Sequence, residues 1–104
     1  MSWEETHRRW TALREVAATA AFTRDGELPW NDQYAEIFGD RDGLLTALRH
    51  RWNQTMQTQL DSHLTAGQIE DRRRDLIREN AGVLRILRRY GVTARGEERI
   101  RASA

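Results

Sequence analysis

The sequence predicts an all-α domain, an irregular bundle of three long helices and one short helix. Three observations carry that prediction. Apolar residues recur at helical spacing through most of the chain, and no stretch alternates with the period of two that builds a strand. Ser2 with Glu5 and Thr65 with Gln68 have the S/T-x-x-E/Q form of a capping box. The single proline, Pro29, and the Asp25-Gly26 pair fall together in one break between periodic stretches.

The first helix opens at Ser2, and Glu4 and Glu5 suit the positive end of its dipole. Trp3, Trp10, Leu13, Ala17, Ala20 and Ala21 then keep helical spacing to about Phe22, and the alanine-rich end permits close approach by another helix. Thr23 to Trp30 reads as a loop, because Asp-Gly is turn chemistry and Pro29 keeps Leu28 out of the helical region. Asn31 or Asp32 caps a short helix through Tyr34, Ala35, Ile37 and Phe38, which Gly39 ends.

Asp40 or Asp42 starts a central helix expected over Gly43 to Leu64, the hub on which the other elements pack. Leu44, Leu48, Trp52, Met56, Leu60 and Leu64 recur every four residues. That row drifts about 40° per step, so it winds around the helix and meets different neighbours at its two ends. The polar residues Asn53, Gln54, Thr55, Gln57, Thr58 and Gln59 are all uncharged, and Asn53, Gln54 and Gln57 are the candidates to hydrogen-bond a partner.

A fourth helix is expected from Thr65 to about Tyr90. Ile69, Arg73, Leu76, Asn80, Val83, Leu87 and Tyr90 form a heptad seam, widened by Ile77 and Leu84. Asn80 in that seam can fix register, either against the central helix or in self-association. Arg85, Arg88 and Arg89 lack neighbouring acids and are read as partners of the negative C-terminal dipole. Gly91 closes the helix. The domain thus spans 1–92, and 93–104 is expected to be a frayed tail. The expected core is Trp10, Leu13, Ala17, Phe38, Leu45, Leu48, Trp52, Met56, Leu76, Val83, Leu84 and Leu87.

Composition narrows the function. At 104 residues the chain makes one domain. It has no cysteine, which removes disulfides, thiolate metal sites and cysteine nucleophiles. No apolar run approaches membrane-spanning length and the start MSWEETHRRW is no signal peptide, so a cytoplasmic protein without membrane contact is expected. All 17 basic residues are arginine, which points to a GC-rich genome, and the net charge of +1 is too small to advertise nucleic acid. The charge is uneven: seven arginines against ten acids up to Leu64, then ten against six. Four tryptophans are expected to supply much of the buried area.

The chemistry of enzymes is hard to find. Glu4-x-x-His7 matches one element of a di-iron bundle, but no second copy exists. Asp40-Arg41-Asp42-Gly43 lacks the preceding aspartate of a calcium loop, that place being Phe38. Gly39 and Gly43 are misspaced for a phosphate loop, and Asp61, Ser62 and His63 are adjacent on the chain, so they point apart. The expectation is a non-enzyme without metal or cofactor.

Within Leu28 to Arg49, Leu28-Pro29 precedes a short helix, Tyr34-Ala35-x-x-Phe38-Gly39 has the L-A-x-x-L-G pattern of helix and turn, and Leu45 falls at an anchoring position. The segment resembles the helix-turn-helix of bacterial winged-helix regulators. The resemblance implies that Arg41, Thr46, Arg49 and His50 reach base edges or phosphates. Asp40 and Asp42 depart from it by bringing negative charge toward the duplex. The start MSWEETHRRW, the segment LPWNDQYAEIFGDRDGLL and the RHRW of Arg49 to Trp52 also resemble small arginine- and tryptophan-rich helical proteins of actinobacterial genomes, which implies no activity. The leading functional expectation is a protein–protein interaction module, binding an unidentified partner or itself through Asn53, Gln54, Gln57 and Asn80. A helix-turn-helix-like DNA-binding accessory protein is the alternative.

Overall fold

The computed structural model describes residues 2–60 and 63–91. Among them are five helices and no strand: α1 (Trp3–Thr23), α2 (Asp32–Phe38), α3 (Arg41–Gln59), α4 (Ala66–Glu79) and α5 (Ala81–Arg89). The expected tail, 93–104, and the Asp61–Ser62 pair lie outside the described residues.

Helix starts follow cap chemistry. The Ser2 hydroxyl accepts the Glu5 N–H at 3.2 Å, the Asn31 side chain accepts the Tyr34 N–H at 2.8 Å, and Asp40 accepts the Gly43 N–H at 2.8 Å. At Thr65 both halves of the capping box form with Gln68. Each bond satisfies a donor that helix geometry leaves orphaned. Gly39 ends α2 with φ +86. The turn is so tight that a Cβ on Gly43 would lie 2.1 Å from the Phe38 carbonyl oxygen.

Two expected helices are cut differently. The central helix runs Arg41–Gln59 rather than to Leu64. The hydroxyls of Thr55 and Thr58 donate back to the carbonyls of Arg51 and Gln54, at 3.0 Å each, in its last turns. Such back-bonding weakens a helix, and the Thr65 cap commits the chain to a new start. The expected helix from Thr65 to Tyr90 is two helices broken at Asn80. There Asn80 donates from its side-chain amide to the Leu76 carbonyl at 2.9 Å. That local bond replaces the expected seam partner, because asparagine satisfies backbone carbonyls where a helix ends. After the break α5 turns Val83, Ile86 and Leu87 inward, and Ile77 on α4 is exposed.

The most extensive packing joins α1 to α5, while α3 rests on α2, α4 and α5. The hub is therefore shared rather than held by α3 alone. The alanine-rich end of α1 permits this: a Cβ on Gly82 would lie 2.3 Å from the Ala20 carbonyl oxygen. The core is built of Ala12, Leu13, Val16, Ala20, Leu44, Leu45, Leu48, Ile86 and Leu87 among others. Along the four-residue row of α3, Leu44 and Leu48 are buried and Trp52 and Met56 only half-buried, as the drift of the row requires.

The tryptophans contribute less than expected. Trp3 is 76% exposed, Trp10 50% exposed, and Trp30 and Trp52 are half-buried. Trp10 is outside the core because the buried face of α1 is the one bearing Ala12, Leu13, Val16 and Ala20. The α5 arginines also find partners. Arg85 donates to the Arg24 carbonyl, and Arg89 pairs with Glu27 at 2.9 Å, so both clamp the 24–31 loop.

Candidate functional site

α1 packs chiefly on α5, and α3 on α2, α5 and α4; between α1 and α3 lies an open groove of about 700 Å³. Arg9, Trp10 and Leu13 form the α1 wall. The α3 wall runs from Thr46 through Arg49, His50, Arg51, Asn53, Gln54, Thr55 and Gln57 to Thr58. Among the described residues no aspartate or glutamate lines it. The lining therefore combines arginines, a histidine, uncharged amides and hydroxyls, and one large aromatic surface.

Aromatic side chains lead into this groove along α1. Trp3 and His7 stack with ring centroids 5.0 Å apart and nearly parallel, and His7 and Trp10 follow at 6.2 Å. The Arg14 guanidinium lies over the Trp10 ring at 4.8 Å, and that of Arg9 over Phe38 at 5.0 Å. These contacts hold two long cationic side chains in defined places without neutralising them.

Arg51 differs from the other arginines. It lines the groove and also a smaller cavity of about 50 Å³ behind it, with Ala17, Leu48, Trp52, Thr55, Asn80 and Val83. Its Nη1 is buried and, among the described residues, makes no hydrogen bond. Burial, and after it the Arg14 charge, push this guanidinium down from its ordinary range.

The residues singled out from sequence divide in two. Thr46, Arg49, His50, Asn53, Gln54 and Gln57, drawn from two competing expectations, line one groove. Arg41 and Asn80 do not. The Arg41 guanidinium packs over the Trp30 ring at 5.2 Å, and Asn80 sits half-buried at the α4–α5 break. The sequence pattern does not point to Arg9 or Arg51 as groove residues, names Thr55 only within the uncharged polar face, and places Trp10 in the core. A signal existed for Arg51 and Thr55: with Leu44 and Leu48 they keep four-three-four spacing, which puts polar residues on a core-facing seam.

No helix among the described residues is long and apolar enough to cross a membrane. Comparison with protein-family models, with curated proteins and with solved structures finds no match to this chain.

Proposed function

We propose that the protein is a non-enzymatic interaction module whose α1–α3 groove takes an acidic segment of a protein partner. The observation that supports this is a groove lined by Arg9, Arg49, His50 and Arg51 with no described carboxylate on either wall. Cationic side chains gathered along a concave surface attract an anionic chain and speed its arrival. Asn53, Gln54 and Gln57 supply donors and acceptors that a peptide backbone can use, and Trp10 offers the amphipathic anchor typical of binding surfaces.

The DNA-binding alternative draws its support from α2, the Gly39–Asp40 turn and α3, which follow one another as helix, turn and helix. It fits the surroundings less well. A recognition helix must stand clear of its neighbours to enter a groove about 12 Å wide, whereas the face of α3 bearing Thr46, His50 and Asn53 is walled by Arg9 and Trp10. Arg41 is engaged with Trp30, and the Asp40 carboxylate remains at the start of α3.

Calorimetric titration separates the two. A decapeptide rich in glutamate is expected to bind saturably, with affinity that falls as salt rises. A mixed-sequence duplex at the same ionic strength is expected to bind more weakly. Tighter binding of the duplex, abolished by Arg49→Ala, would reverse the assignment.

A further inference from the structure

We infer that Arg51 is the receptor for a single carboxylate, presented by an acidic side chain of the segment in the groove; the inference rests on the reading of the groove as a site for an acidic segment. Arg51 stands where the groove meets the cavity of about 50 Å³. A guanidinium carries five donors, and one left buried without an acceptor is costly. Nη1 of Arg51 is so placed. Neither the Thr55 hydroxyl nor the Asn80 side chain, which share the cavity lining, accepts a hydrogen bond from it. The other charge that acts on it is a second cation, Arg14.

Among the described residues, no anionic acceptor bonds Nη1 of Arg51. The flat guanidinium fork matches the two oxygens of a carboxylate. Beside the polar Thr55 and Asn80, the side chains of Ala17, Leu48, Trp52 and Val83 give the cavity an apolar wall against which the methylene stem of aspartate or glutamate can lie. A tetrahedral phosphate, with more oxygens to satisfy, meets too few donors there.

The test compares wild type, Arg51→Met, Arg51→Lys and Arg9→Met in titrations with two decapeptides. One carries a single central glutamate among serines and glutamines, and the other has glutamine in its place. Wild type is expected to prefer the glutamate peptide. Arg51→Met should remove that preference with a loss of about thirtyfold or more, the scale for deleting one partner of a buried charge pair. Arg9→Met should lose less than about fivefold, as exposed charges do. Arg51→Lys, which keeps the charge but not the fork, should fall between them. Without peptide, Arg51→Met should melt no lower than wild type, since an unpaired charge has been exchanged for an apolar chain of similar length.

Equal losses in Arg51→Met and Arg9→Met would overturn the receptor while leaving the groove reading intact. A markedly lower melting temperature for Arg51→Met would make Arg51 a structural residue and also overturn it. If wild type binds neither peptide, the groove reading fails, and acetate decides the receptor alone. A saturable rise in melting temperature with acetate, absent in Arg51→Met, would support it. No rise, or a larger one with inorganic phosphate, would overturn it.

Discussion

At Gly82 the α1–α5 contact leaves no room for a side chain, since the Ala20 carbonyl oxygen stands 2.3 Å from where a Cβ would be. Gly82→Ala is therefore expected to cost about 2 kcal/mol or more, by forcing the two helices apart, and urea melts would measure it. Arg24 shows the opposite kind of strain. It closes α1 in the left-handed region, φ 52, where a Cβ is unfavourable. Arg24→Gly should raise stability by less than about 1 kcal/mol, the relieved strain being partly offset by backbone entropy; a fall in the urea midpoint would contradict this. Cap residues were legible at this scale because a cap is local chemistry. Ser2, Asn31, Asp40 and Thr65 each bond a backbone N–H three residues on. Trp10 and Arg51 were not legible. Whether a side chain on an amphipathic helix meets core, groove or solvent depends on how its neighbours are rotated, and local spacing does not contain that.

Among the elements, the break at Asn80 has the largest consequence. Beyond it α5 buries Gly82, Val83, Ile86 and Leu87, while α4 buries only Leu76 among its residues. Asn80→Ala removes the bond to the Leu76 carbonyl and is expected to cost about 1 kcal/mol, read as a lowered thermal midpoint. A heptad seam cannot reveal the break, because the four-three spacing continues across Asn80 whether or not the backbone does. A second tie holds α2 to α1: the Tyr34 hydroxyl donates to Glu15 at 3.2 Å. Burial first, then the Glu15 carboxylate, raise the Tyr34 phenol above its ordinary value of 10.0. A raised folded value means that the stabilisation is fully present below the unfolded value and is lost as pH rises through the folded one. Stability of wild type should thus decline more steeply above about pH 10 than that of Tyr34→Phe, in urea melts across that range.

At the scale of the whole molecule, the described lining of the α1–α3 groove brings Arg9, Arg49, His50 and Arg51 to one concave side. Asn53→Glu with Gln57→Glu puts two carboxylates on exposed positions of the α3 wall. It should change stability by no more than about 0.5 kcal/mol and weaken binding of the acidic decapeptide by about tenfold or more. An unchanged affinity would remove the groove from consideration. By itself the sequence determined the helical class, most helix starts and the apolar stretches that build the core, since each follows from periodicity and from bonds spanning three or four residues. Only the tertiary structure decided which faces meet. It made α1 and α5 the most extensively packed pair, turned Trp3 and Trp10 outward, and gathered Arg9, Arg49, His50 and Arg51 from two helices around one groove. The physical reason is that helix–helix packing depends on which small residues permit close approach, here Ala20 and Gly82, and on the angle that follows from it.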